Sequence, residues 1–96
     1  MKLSCAINVY INDRPRYVKE AIESILNQSK IPDELIIVVD GPIGIQLRNL
    51  INSYEVDCEF IKVFSLAKNI GIGAARNYAI NRCTGDLIAI MDADDI

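Results

Sequence analysis

Two runs of five apolar residues, Leu35-Ile36-Ile37-Val38-Val39 and Leu87-Ile88-Ala89-Ile90-Met91, carry no polar residue at either parity. A strand with one wet face alternates. A run without alternation belongs where both faces are covered, as in a parallel sheet with helices on each side. Leu3 to Ile11 and Phe60 to Leu66 are further strand-like segments. Between them the apolar period changes. Val18, Ala21, Ile22, Ile25 and Leu26 recur at three and four, which predicts an amphipathic helix. Leu47, Leu50, Ile51 and Tyr54 mark a second helix, and a third spans Gly73 to Arg82. The breakers fit this division. Asn12 or Asp13 can cap the first helix, with Pro15 in its first turn. Ile31-Pro32-Asp33 ends that helix, Asp40-Gly41-Pro42 closes the second strand, and Gly85 is placed to terminate the third helical region. The order βαβαβαβ predicts a doubly wound, mainly parallel α/β sheet.

A chain of 96 residues makes one domain, here 1–96, and 51% apolar residues give it a core to bury. A net charge of −3 without histidine argues against nucleic-acid binding, which calls for a basic stripe. Cys5, Cys58 and Cys83 lack disulfide or zinc spacing and read as free thiols in a reducing compartment, Cys5 and Cys83 within the core. The N-terminus fits neither a signal peptide nor a membrane span. Cytoplasmic location is the default expectation, with a membrane-peripheral place open to a full-length protein.

In open α/β sheets ligands bind beyond the carboxyl ends of the strands. Those ends carry Tyr10 to Asp13, Asp40-Gly41-Pro42, Lys68 to Gly73 and Asp92 to Asp95, whereas the loops around Ile31 and Tyr54 to Cys58 show no comparable polar set. Asp92-Ala93-Asp94-Asp95 follows a buried strand. Two carboxylates one residue apart there suit a hard divalent cation, Mn²⁺ or Mg²⁺. The same run also fits a solvated acidic tail or helix N-capping. Asp40 could bind a base or ribose, or serve only the turn that Asp-Gly-Pro makes by itself. Gly71-Ile72-Gly73-Ala74-Ala75-Arg76 is a partial glycine fingerprint, in which Arg76 could face a diphosphate or pair with an acidic neighbour. Lys68 and Asn69 read as plain loop residues. Tyr10 could stack on a base, although an aromatic at a strand end more often joins the core.

Taken in order, five segments resemble the start of a family 2 inverting glycosyltransferase of the GT-A fold. They are Ser4 to Tyr10, Glu23-Ser24-Ile25-Leu26-Asn27-Gln28-Ser29, Leu35 to Gly41, Asn69-Ile70-Gly71-Ile72-Gly73-Ala74-Ala75-Arg76-Asn77, and Thr84-Gly85-Asp86 running into Met91-Asp92-Ala93-Asp94-Asp95. The resemblance implies a nucleotide-diphospho-sugar donor and an acceptor glycan or lipid-linked glycan. Tyr10 would lie beside the base, Asp40 would hydrogen-bond it, and Asp92 would sit near the ribose. Gly71 to Arg76 would line the nucleotide side, and Asp94 would bind the metal. The general base would lie beyond Ile96, so the chain would be the donor half of such an enzyme, cut after the Asp-x-Asp motif. The sequence also departs from the family pattern. Val39 replaces an Asp, Pro42 a Ser, Asn8 a common proline, and Ile11 a common asparagine. Asp-Gly-Pro itself resembles a subgroup of polysaccharide-building transferases. Two rivals stand beside this expectation. One is a haloacid-dehalogenase-like phosphatase, which also uses a strand ending in Asp-x-Asp. The other is a non-catalytic α/β interaction module, for which open sheet edges make self-association plausible.

Overall fold

The structure, a computed structural model, describes residues 1–92. The elements run β1 (Leu3–Val9), α1 (Pro15–Leu26), β2 (Glu34–Val39), α2 (Ile45–Asp57), β3 (Ile61–Ser65), α3 (Ile72–Arg82) and β4 (Leu87–Asp92). All three pairings are parallel, in the order β3-β2-β1-β4. Helical crossovers between parallel neighbours produce the doubly wound arrangement that the alternating periods predict.

The sheet divides its core by parity. Cys5, Ile7, Val9, Leu35, Ile37 and Val39 pack under α1 and α2, against Val18, Ile22, Ile25, Leu47 and Ile51. Ala6, Ile36 and Val38 pack on the opposite face, against Ala75 and Ala79 of α3. The small alanines let α3 lie close to the sheet. Every residue of β2 is buried, as its unbroken apolar run requires.

The other apolar run behaves differently. Leu87, Ile88 and Ile90 are exposed, and Met91 packs against the core. β4 is a sheet edge, and the three helices cover β1 and β2 more than they cover it. Sequence apolarity predicted two covered faces; within residues 1–92 the strand stands at the end of the sheet order and stays largely uncovered. Among the described residues no helix is long and apolar enough to cross a membrane.

Three local expectations are also corrected. Strand β1 stops at Val9, because Tyr10 to Asp13 form a turn in which Asp13 N–H donates to Tyr10 O at 3.0 Å. The N-cap of α1 falls on Arg14, extended as a residue before proline must be, and its side chain makes no capping bond. The Asp13 carboxylate accepts the Tyr10 N–H instead, at 3.0 Å. Gly85 does not end α3, which closes at Arg82 with Cys83 extended. Gly85 is needed for space, since a Cβ there would lie 2.5 Å from Ser4 Oγ and 2.8 Å from Ser4 N.

That close approach belongs to a polar clamp at the amino edge, where the sequence predicted nothing comparable. Glu34, 2% exposed, accepts from Ser4 Oγ at 2.6 Å and from Thr84 N–H and Oγ1 at 2.5 and 2.9 Å. Ser4 Oγ in turn accepts the Gly85 N–H at 2.8 Å, and Lys62 Nζ lies 3.7 Å from Glu34 Oε1. Beside them Lys2 N–H donates to Asp86 Oδ2 at 2.9 Å, and Asp86 N–H donates back to Lys2 O at 2.8 Å. These bonds fix where β4 enters beside β1. They thereby set the register in which Asp92 pairs with Asn8. A slip of one residue would reverse every side chain of the strand.

Candidate functional site

At the carboxyl edge the sheet delivers Val9, Val39, Ser65 and Asp92 at nearly one level, because the three parallel ladders are in register. The loops that follow β2 and β3 are locked together. Asp40 N–H extends the ladder to Val9 O at 2.7 Å, and Leu66 N–H reaches Val39 O at 2.9 Å. The Asp40 carboxylate, on the α3 side, accepts the Ile70 N–H at 2.8 Å. Asn69 completes the lock. Its Nδ2 donates to Asp40 O at 3.2 Å, and its Oδ1 accepts the Gly71 N–H at 3.1 Å.

Two glycines make this possible. Gly41 has φ +93, a left-handed conformation that side chains resist, and a Cβ there would sit 2.7 Å from Asn69 N. Gly71, the N-cap of α3, has φ +92, although space around it is open. Asn69 is therefore no plain loop residue. The Asn-x-Gly spacing at a strand end was the sequence signal that could have marked it.

The predicted site residues fall as follows. Asp40 is 5% exposed and stands within this lock, so it is more than a turn residue. Gly71 begins α3 beside it, and Arg76 lies partly buried further along the same helix. Tyr10 is 41% exposed, which removes it from the core and leaves its ring reachable. It lines a cleft of about 330 Å³ with Asn12, Asp13, Arg14 and Tyr17. A neighbouring cleft of about 340 Å³ is lined by Ile11, Asp13, Pro15, Gly44, Ile45, Gln46 and Leu47. Asp92 ends β4, its backbone level with Asn8. Asp94, the metal candidate, lies outside the described residues. Among the described residues no three His, Cys, Asp or Glu side chains gather as a metal-binding group.

This geometry separates two duties of Asp40. Asp40→Asn keeps an acceptor oxygen for Ile70 N–H and is expected to change stability by less than about 1 kcal/mol. Asp40→Ala leaves the part-buried Ile70 N–H without this acceptor and is expected to cost about 1–2 kcal/mol. Urea denaturation of both variants checks the difference. Equal losses would mean that the Ile70 bond carries none of it.

Comparison with known proteins agrees with this arrangement. Residues 4–96 match the profile described as Glycosyl transferase family 2. The chain is 41% identical over 95 residues to a UDP-Gal:alpha-D-GlcNAc-diphosphoundecaprenol beta-1,3-galactosyltransferase of Escherichia coli, covering 99% of this chain and 34% of that protein. It is 32% identical over 93 residues to the amylovoran biosynthesis glycosyltransferase AmsE of Erwinia amylovora, covering 97% and 35%. The chain thus spans about a third of the length of these relatives. Among solved structures, S. aureus TarS in complex with UDP superposes with a TM-score of 0.81 at 26% identity, over 98% of this chain and 28% of that one. A Pyrobaculum calidifontis mannosyltransferase in complex with GDP-Man and Mn²⁺ gives 0.80 at 18% identity, over 97% and 27%, and shares the fold. None of these matches supports a phosphatase. The sheet order, the strand-end lock and a family match that runs through both make this chain a member of glycosyl transferase family 2, with the α/β fold of the GT-A enzymes.

Proposed function

We propose that the chain is the donor-binding part of a glycosyltransferase, which moves a sugar from a nucleotide diphosphate to an acceptor hydroxyl in polysaccharide or cell-surface glycan synthesis. The observation that carries this reading is the family match over residues 4–96, which takes in all four strand ends. Tyr10 offers a reachable ring to the base. Asp40, whose Oδ1 accepts the Ile70 N–H, offers its second carboxylate oxygen. Gly71 and Arg76 stand on the α3 side of the same edge. UDP is the nucleotide of choice for a first test, because the 41%-identical relative is named for UDP-Gal and the TarS structure holds UDP.

On this reading Asp94, with Asp92 beside it, holds Mn²⁺ or Mg²⁺. Carboxylate oxygens are hard donors of the kind such ions take while keeping positions open for phosphate. The ion would neutralise charge on the departing diphosphate. The rest falls to the chain's own residues, which bind and orient the nucleotide. A general base for the acceptor hydroxyl lies beyond Ile96 on this reading, so the 96-residue chain is expected to bind without turnover.

Isothermal titration of this chain with UDP, with and without Mn²⁺, tests the proposal. The expected result is weak binding that requires the metal, and Asp94→Ala is expected to abolish the metal requirement together with the affinity it supplies. A chain shown to be folded by circular dichroism that gives no Mn²⁺-dependent binding would refute the donor-site reading. Unchanged metal dependence in Asp94→Ala would refute the metal assignment alone.

A further inference from the structure

Packing says little about which residue of β4 stands beside which residue of β1. Leu87, Ile88, Ala89 and Ile90 are all exposed, and only then does Met91 reach the core. An unbroken apolar run adds no preference of its own, because its pattern looks the same after a shift. The bonds of a parallel ladder are evenly spaced, so they re-form with new partners. Within residues 1–92 β4 is hydrogen-bonded to β1 alone, with no second ladder to correct it.

One shift is cheap. A movement of two residues toward the carboxyl edge keeps each side chain on its own face. Ile88 would take the place of Ile90 beside Ala6, and Ala89 that of Met91 beside Ile7. Isoleucine replaces isoleucine on one face, and the other face loses the Met91 contacts, among them the 3.9 Å approach of Ser24 Oγ to its sulfur. The opposite movement is closed, since it would set Asp92 beside Ala6, which is 1% exposed. The outward shift moves Asp92 by about 6–7 Å relative to Asp40 and Gly71.

The clamp at the amino edge opposes this movement. Thr84 gives its N–H and its hydroxyl to Glu34, and Gly85 gives its N–H to Ser4 Oγ. Lys2 Nζ donates to Thr84 Oγ1 at 2.5 Å, beside the backbone pair that joins Lys2 and Asp86. A shifted strand would leave all of these partners at once. Ser4 and Glu34 are 0% and 2% exposed, so the groups left behind would be buried without replacements.

We infer that Ser4 and Thr84, joined through Glu34, are positioning residues of the donor site. By holding β4 in register from the amino edge, they set where the strand delivers Asp92 relative to Asp40 and Gly71. The effect on binding rests on the donor-site reading above; the register lock does not.

The test uses Ser4→Ala/Thr84→Val, Thr84→Val alone, and Thr84→Ser, which keeps the hydroxyl. Nuclear Overhauser contacts between the backbones of β1 and β4 read the register directly, and titration with UDP and Mn²⁺ reads the site. In wild type and Thr84→Ser, Ala6 should meet Ile90 only. The double variant should keep its β1–β2 contacts and show a second set, in which Ala6 meets Ile88. Its apparent UDP affinity should fall by the factor by which the native set has shrunk, about two- to tenfold. Where the double variant does not fold, Thr84→Val should show the same change in smaller proportion. Ile51→Val, a core change on α2, should lower the melting temperature and leave register and affinity as in wild type. Native contacts alone in the folded clamp variants overturn the lock. A second register with undiminished affinity overturns the positioning role, and so does an equal loss of affinity in Ile51→Val. The contacts need no ligand, so a wild-type chain that binds no UDP refutes the donor-site reading and the positioning role, while the lock is still decided by its contacts.

Discussion

Glu34→Ala is expected to destabilise the chain by about 3–5 kcal/mol, a large share of the roughly 5–15 kcal/mol that holds a domain together. Three donors, from Ser4 and Thr84, converge on one carboxylate oxygen, and alanine leaves them without an acceptor in a site that is 2% exposed at Glu34. The carboxyl also carries a pH signature. Burial pushes its pKa up, but the hydrogen bonds from Ser4 and Thr84 and the charge of Lys2 outweigh burial and bring it from 4.5 to about 2. A folded-state pKa below the unfolded value means that the unfolded chain binds the proton more readily. The stabilisation is therefore complete above about pH 4.5 and is lost as pH falls toward about 2, amounting to about 3 kcal/mol. Denaturant titrations at pH 7, 4 and 3 should show wild type weakening over this interval. Glu34→Gln retains an oxygen for the same donors, so it should cost less than alanine and flatten the acid limb. A wild-type stability that is level from pH 7 to pH 3 would show that the clamp contributes no net charge term.

The second large effect is expected at Gly41→Ala. A left-handed φ costs a non-glycine residue about 1–3 kcal/mol, and forcing extra volume into a packed position adds about as much again. Both apply here, since φ is +93 and the new methyl would meet Asn69 N at 2.7 Å, a backbone atom that cannot rotate away. A total near 4 kcal/mol follows, measurable as a shift in the urea midpoint. Gly71→Ala makes the comparison informative, because its φ of +92 imposes the backbone term while the space around it is open. It should lose about half as much. Equal losses at the two positions would remove steric contact with Asn69 from the explanation.

The sequence announced the fold better than it announced the site. Unbroken apolar runs and helical spacing specify the alternation of elements, and the parallel sheet follows because few connections can join them. The exposure of β4 within residues 1–92 was hidden, because Leu87 to Met91 reads like Leu35 to Val39; their difference there lies in neighbours. The amino-edge clamp was hidden for a related reason. Ser4, Glu34 and Thr84 are thirty and fifty residues apart along the chain, as Ser4–Glu34 and Glu34–Thr84, and no local pattern joins them. At the carboxyl edge Asp40 and the Gly71 turn were legible as candidates, since strand ends are where such sheets bind ligands. Their coupling through Asn69 needed coordinates, because it depends on how closely two loops approach. Asn8 was visible only as a departure from a family pattern. The structure adds that its Oδ1 is buried and meets no hydrogen-bond partner.

The placement of β1 also bears on how the chain is made. It is made before the other three strands of this sheet yet lies between two of them, β2 and β4. The bond between Lys2 and Asp86 spans 84 positions of the sequence. One side of β1 thus stays unpaired until Leu87 to Asp92 has been made, with its apolar residues and ladder groups open to other chains. Closing so wide a parallel pairing is slow, and slow closure prolongs the exposure. For this sheet the order of synthesis and the order of strands are at odds, and a nascent chain stays open to that hazard until β4 has been made.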